Sequence, residues 1–374
     1  MKKIFCYYFP NWHIDKRNEK WHGKNWTEWE VTKYAVPRFD GHIQPRKPLW
    51  GYIDESKPEV MAEKIDIACE YGIDGFIFDW YWLNEGIYRE KCIENGFLKA
   101  ENCNKLQFGI MLCNHNAIQA HPGSKAFPSP VLEECVIRNE RFSELSKYCI
   151  EHYFNRENYM CINGKIFFAV FNICKFADDL GGVEKAGEVI CNFRKECIEK
   201  TGKDLYFCAV DPQAEMLLEK YGITVDEAEK ILTIDVWTTH QNPGMDRQGT
   251  FPVIDYKKWI DTFPETYLEK TEKYNKPYNP CVAPGWDCSP RTVASDAYED
   301  VGYPFCHIAV NSTPENFEIS LKNAKEFMKS ENSNADFMVV SSWNEWTEGG
   351  YLEPDEQDGY KKLEAIKKVF TEKK

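Results

Sequence analysis

Several features that would assign a chain quickly are missing from this one. No apolar run approaches the roughly 18 residues that a membrane-spanning helix needs; Ile166–Cys174 (IFFAVFNIC) is among the longest. There is no basic excess either, since 46 Lys and Arg stand against 60 Asp and Glu, a net charge of −14. With no long Lys/Arg cluster, that balance argues against a nucleic-acid binder that tracks phosphates and against docking on anionic membrane. The 15 cysteines contain no C-x-x-C pair, and the close spacings Cys191/Cys197 and Cys281/Cys288 fit no zinc template. An odd number scattered from Cys6 to Cys306, several inside apolar runs (Cys6, Cys113, Cys208), reads as reduced core thiols of a cytoplasmic protein. The opening MKKIFCYYFPNWH lacks the long apolar stretch and small-residue cleavage site of a signal peptide, so Ile4–Phe9 reads as a first strand. No H-E-x-x-H or other compact His/Asp pattern suggests a catalytic metal or other cofactor, and no G-x-S-x-G elbow suggests a serine hydrolase.

Aromatic residues, in contrast, are abundant: 15% of the chain, with 12 Trp and 20 Tyr. Such rings either fill a large core or line a wet pocket for a ligand with apolar and polar faces, and position has to decide. Apolar, β-branched and aromatic runs recur at Ile4–Phe9, Gly75–Trp80, Leu106–Cys113, Ile166–Phe171, Leu205–Val210, Leu232–Trp237, Cys281–Trp286 and Phe337–Ser342. They are nearly continuous in apolar character, as strands buried on both faces are. Helical patterns lie between many of them: Pro58–Tyr71, Arg138–Tyr153, Val183–Thr201, Pro314–Lys329 and Gly359–Phe370. Eight strands alternating with helices allow a doubly wound sheet or a (β/α)8 barrel. No Gly-rich phosphate turn follows the first strand, which favours the barrel. No linker or repeat divides the chain, so residues 1–374 are expected to form one domain.

Barrels carry their chemistry at the C-terminal ends of the strands. Here those ends hold Tyr8, Asn11–His13 with Trp12, Asp79–Trp82, Asn114–Asn116, Asn172, Asp211, Trp237–His240, Trp286–Asp287 and Trp343–Glu348. The concentration of Trp, Asn, Asp and His there predicts a pocket. Its most informative stretch is S-S-W-N-E-W-T-E-G-G-Y-L-E-P-D, Ser341–Asp355. Glu345 and Glu348 are three apart, flanked by Trp343, Asn344 and Trp346, and a helical turn would put both carboxylates on one face. Repulsion and desolvation would then separate their pKa values into one acid and one base, as glycosidic cleavage requires. The spacing alone also fits an exposed loop with capping glutamates; the bracketing tryptophans favour catalysis. Asp79 fits either a substrate hydroxyl ligand or a buried structural carboxylate, and His115 and His240 either ligand donors or structural histidines.

The quoted residues resemble the WbsX-like family, a relative of the family 99 glycoside hydrolases, the endo-α-mannosidases. The likeness lies in Y-Y-F-P-N-W-H, W-T-E-W at Trp26–Trp29, G-H-I-Q-P-R at Gly41–Arg46, P-E-V-M-A-E-K with Y-G-I-D-G-F across Pro58–Phe76, and the terminal W-N-E-W-T-E-G-G-Y-L-E-P-D. It covers both ends of the chain and only loosely the middle. The resemblance implies a (β/α)8 barrel and, through the N-E-W-x-E-G motif, Glu345 as base and Glu348 as acid. It further implies retention of configuration, with the substrate's 2-hydroxyl as nucleophile and a 1,2-anhydro sugar as intermediate, on α-manno- or α-rhamno-configured glycans. Trp12, Trp80, Trp286, Trp343 and Trp346 are then expected to stack on sugar rings. Tyr8, His13, Asp79, Asn114, His115, Trp237, His240 and Asn344 complete the expected substrate-binding set. Members of this family are often labelled glycosyltransferases of polysaccharide synthesis. That alternative wants a diphosphate cradle or D-x-D-like metal site, and Asp178–Asp179 in D-D-L-G-G is a poor one. A non-catalytic carbohydrate-binding barrel is the other alternative.

Overall fold

The computed structural model describes residues 2–127, 129–211, 213–241, 245 and 249–371. Its main sheet is a nearly closed barrel of parallel strands wrapped by helices: a (β/α)8 barrel, as the alternation predicts. The strands are β1 (Lys3–Tyr8), β2 (Gly75–Leu83), β3 (Gln107–Leu112), β4 (Lys165–Val170), β5 (Leu205–Asp211), β6 (Val236–Thr239), β7 (Tyr278–Asn279 and Cys281–Val282) and β8 (Phe337–Val340). In β2, β5, β6 and β8 every residue is buried, so the apolar runs are continuous because both faces are covered.

Closure happens at β7, which Pro280 splits in two. Tyr278–Asn279 pairs with β6, and Cys281–Val282 pairs with β8. Proline has no N–H to give, so the strand changes partner there. The Pro280 carbonyl still accepts from Val339 N at 3.0 Å, and the Pro277 carbonyl from Trp237 N at 2.8 Å. β8 then pairs with β1 in the register Lys3↔Phe337 to Cys6↔Val340, completing the ring.

Two strands lie elsewhere along the chain than their apolar runs suggest. β6 starts at Val236 because Leu232 caps the helix Val225–Ile231 and Thr233 turns the chain with a positive φ of 49°. β7 ends at Val282, since Pro284 and Gly285 follow and Ala283–Trp286 leave the sheet as a loop. That shift sends Trp286 and the residues after it over the mouth of the barrel.

The helices Pro58–Glu70, Val183–Thr201, Pro314–Lys329 and Lys361–Phe370 match their sequence patterns closely, and Asn139–Cys149 continues as one π-helical turn through Phe154. No helix among the described residues is long and apolar enough to cross a membrane.

Candidate active site

A cavity of about 650 Å³ opens at the C-terminal ends of the strands. Each side reaches it from a different strand end: Asp79 and Tyr81 from β2, His115 after β3, Phe171 after β4, His240 after β6, Trp286 and Arg291 after β7, Glu345 and Glu348 after β8. The long segment after β1 adds Trp21, His22 and Trp26 as a further wall.

Glu345 and Glu348 bracket a single 3-10 turn, Trp346–Glu348, inside a hairpin in which Asn344–Glu345 pairs with Gly350–Tyr351. In that tighter helix positions i and i+3 eclipse, which brings the two side chains together. The turn ends at Gly349 with φ of 67°, and a Cβ there would lie 2.8 Å from the Asp287 nitrogen. Only glycine combines that backbone with that approach. Asp287 N in turn donates to the Glu348 carbonyl at 2.6 Å, tying the turn to the loop after β7.

Arg291 holds the two carboxylates. Its Nη1 donates to Glu348 Oε1 and its Nη2 to Glu345 Oε1; Nη2 also reaches Glu28 Oε1 at 3.1 Å, and Nε donates to Thr347 Oγ1 at 2.8 Å. Tyr303 O–H donates to Glu348 Oε1 at 2.9 Å. Both glutamates thus spend Oε1 on the protein, while among the described residues no group bonds Oε2 of either. Burial pushes the Glu345 carboxyl well above the usual range; Arg291 pulls it down, and Glu348, Glu28 and Asp79 push it up. For Glu28, burial is outweighed by His121, Arg291 and Arg89, which hold it at about 2. Asp79 is pushed up to about 8 by burial, against Arg89, and its Oδ1 has no partner among the described residues. Burial also lowers His115 and His240 and brings His121 down to about 3, so these rings are neutral hydrogen-bonding groups at pH 7.

Of the residues singled out from sequence, Glu345, Glu348, Asp79, His115, His240 and Trp286 meet on the cavity wall. The others are buried in the layers around it. Trp343 and Trp346 donate their indole N–H to Glu353, at 3.0 and 2.7 Å. Tyr8 donates to Glu55 Oε2 at 2.8 Å, Trp12 N donates to Glu55 Oε1 at 2.9 Å, and His13 Nδ1 stands 3.4 Å from the same oxygen. Asn344 pins Phe9 through its N–H at 2.8 Å and its carbonyl at 3.0 Å. Asn114 does the same for Asn172, both at 2.9 Å. Trp80 packs on Trp82 with centroids 5.4 Å apart, and Trp237 stacks on Tyr274 at 4.4 Å while donating to Glu229. The rings at the strand ends therefore divide between core and cavity.

Sequence reasoning passed over Arg291, Glu28, Tyr303 and the stacked Arg89. Glu28 had a signal in W-T-E-W; Arg291, in S-P-R-T on a loop, had none. Arg89 lies 4.6 Å from the ring centroids of Tyr81 and Tyr88 and 4.8 Å from that of Phe9.

The model of the family described as "Glycosyltransferase WbsX" matches residues 4–366, so the chain belongs to that family. A relative from Xanthomonas campestris pv. campestris, the uncharacterized protein WxcX, is 24% identical over 98% of this chain. The chain spans about half of that relative's length, 49%. Among solved structures, the GH99 endo-α-mannosidase from Bacteroides thetaiotaomicron superposes with a TM-score of 0.59 at 13% identity, covering 98% of this chain and 95% of that one. A glycoside hydrolase-like protein gives a TM-score of 0.61 at 13% identity, covering 99% and 94%. These likenesses are of fold.

Proposed function

Proceeding from that membership, we propose that the chain is a retaining glycoside hydrolase acting on α-linked, manno- or rhamno-configured oligo- or polysaccharide. The observation that carries this reading is the pair Glu345 and Glu348 on one turn, clamped through Oε1 by one guanidinium, each with Oε2 free of partners among the described residues.

Glu345 is the base. Burial on its own favours the protonated form of this carboxyl; Arg291, donating to its Oε1, favours the ionised form that a base needs. It takes the proton of the substrate's 2-hydroxyl as that oxygen attacks the anomeric carbon. Glu348 gives its proton to the leaving oxygen as the glycosidic bond breaks, and a 1,2-anhydro sugar results. Water then opens the ring, losing a proton to Glu348, while Glu345 returns its proton to O2. Two inversions at the anomeric carbon leave its configuration retained. An internal nucleophile has to stand trans to the leaving group, as it does in α-mannosides and α-rhamnosides. Asp79, protonated at pH 7, with Trp286, His115 and His240, binds hydroxyls and ring faces.

The family's description carries a second reading, a glycosyl transfer from a nucleotide sugar by the same carboxylates. One screen separates them: α-manno- and α-rhamno-configured oligosaccharides with wild type and Glu345→Gln, products read by mass and NMR. Turnover with retained configuration, abolished in the variant, is expected. Consumption of a nucleotide sugar with no hydrolysis of any glycan would make the chain a transferase. Oligosaccharide binding unchanged in both proteins, without turnover in either, would make it a binding barrel.

A further inference from the structure

Trp286 is a wall of two cavities. The second, about 270 Å³, lies against the backbone of the catalytic turn at Gly349 and is lined by polar groups, among them Gln44, Asn311, Ser312, Asp358 and Lys362. Lys362 is the unusual one. Three lysines are buried among the described residues: Lys64, Lys270 and Lys362. Lys64 has Glu353 at 2.6 Å and Lys270 has Asp211 at 2.6 Å. Lys362, 8% exposed, has no carboxylate within 4.0 Å among the described residues, and its ammonium rests 5.0 Å from the Tyr351 ring centroid. In a chain with a net charge of −14, acidic partners are not scarce, yet among the described residues Asp355 and Asp358 act on this cation only from beyond ion-pair distance.

The nearby carboxylates are otherwise engaged. Asp355 accepts from Tyr351 O–H at 2.7 Å and from the Asp358 nitrogen at 2.6 Å. Asp287 accepts from Gln44 Nε2 at 2.7 Å and Ser289 N at 2.9 Å, with His42 Nε2 at 2.8 Å. Asp358 also lines the cavity but makes no ion pair with Lys362. A buried ammonium without a counter-ion is costly, and burial lowers this one to about 8. An incoming anion would offset that cost.

We infer that the second cavity is a saccharide site for an acidic sugar, its carboxylate meeting Lys362, its hydroxyls meeting Asn311, Ser312 and Asp358, and its ring beside Trp286. That the occupant is a sugar rests on the glycosidase reading; that it is anionic rests on Lys362 alone. The occupant and the unit held in the first cavity would share Trp286 as a wall.

The test is a binding titration followed by tryptophan fluorescence and calorimetry. The probes are D-glucuronate, D-galacturonate, D-glucose, D-galactose and inorganic phosphate, applied to wild type, Lys362→Met and Lys362→Gln. At least one uronate should bind wild type about tenfold more tightly than its neutral counterpart, the scale of a charge-assisted hydrogen bond. Both variants should lose that preference while melting at or above the wild-type temperature, since each removes an uncompensated buried charge. Equal binding of acid and neutral sugar, or a preference kept in both variants, would overturn the inference. Phosphate bound as tightly as either uronate would reduce the site to a plain anion site and overturn it too. The double variant Glu345→Gln, Glu348→Gln should keep uronate binding. If wild type hydrolyses nothing yet shows the Lys362-dependent preference, the catalytic reading fails and the second site stands.

Discussion

Two buried clusters of acids and bases are finished differently in this barrel: one against the helix Pro58–Glu70, called the lower for short, and one on the cavity wall, called the upper. The lower one joins Lys64, Glu353, Glu55 and Tyr8. Lys64 Nζ bonds Glu353 at 2.6 Å and donates to Tyr8 at 2.8 Å, Tyr8 donates on to Glu55, and the two indoles of Trp343 and Trp346 complete Glu353. One ammonium faces both carboxylates there, and each carboxylate oxygen has a donor. The upper cluster uses the same residue types around Arg291 but stops short: among the described residues only Oε1 of Glu345 and Glu348 is bonded, and Asp79 Oδ1 and Trp286 Nε1 have no partner. A closed network fixes a core; an open one of the same chemistry is arranged for a partner that arrives later.

The largest expected effect is in the lower cluster. Lys64→Met leaves Glu353 and Glu55 buried without their cation, and denaturant unfolding should show a loss of about 3–5 kcal/mol. A variant with unchanged midpoint would erase the distinction between the clusters. In the upper one, Glu348→Gln should instead leave stability within about 1 kcal/mol while turnover of glycosides with poor leaving groups falls at least roughly a hundredfold, or about 3 kcal/mol of barrier. The loss should be smaller on an activated aryl glycoside. Equal losses on both substrates would remove the acid role from Glu348.

How far this division was legible depends on what set each position. Strands wrapped on both sides leave unbroken apolar runs, so six of the eight strands stand out in sequence where they form; β6 is displaced by the turn at Thr233, and β7 ends early before Pro284 and Gly285. Glu345 and Glu348 are legible because a local turn joins them. The tryptophans beside them are not assigned by the same logic: Trp343 and Trp346 face Glu353, ten and seven positions on, and nothing in the spacing says that an indole N–H will find that carboxylate. Arg291 meets Glu28 across 263 residues and Glu345 across 54. Contacts of that range exist only once the barrel has brought the loop ends together.

Titration sharpens the comparison at Asp79. In the folded chain it keeps its proton up to about 8, whereas an unfolded aspartate releases it near roughly 3.9. Folding therefore binds a proton across that window. The stability so gained is full at low pH and is lost as pH rises through the folded value. Asp79→Asn cannot ionise, so its stability relative to wild type should rise with pH, by on the order of 2 kcal/mol between pH 5 and pH 7. A difference that does not change with pH would mean that Asp79 is already ionised and paired, and the upper cluster would be as closed as the lower.

The smallest effect tests the lower cluster's completeness. Trp343→Phe keeps most of the buried ring, which packs 5.0 Å from Phe76, and removes only the N–H that Glu353 accepts. Glu353 retains Lys64 and Trp346, so the cost should be about 1 kcal/mol, one hydrogen bond to a charged group that keeps its other donors. The matching change across the boundary, Trp286→Phe, removes an N–H that no atom of the described residues accepts. Its stability should stay within about 0.5 kcal/mol of wild type, because no internal bond is broken. Its effect should appear instead as weaker saccharide binding, measured by titration on the same pair of variants. If Trp286→Phe proved the more destabilising of the two, its indole would belong to the frame of the barrel, and the wall between the two cavities would be part of the core.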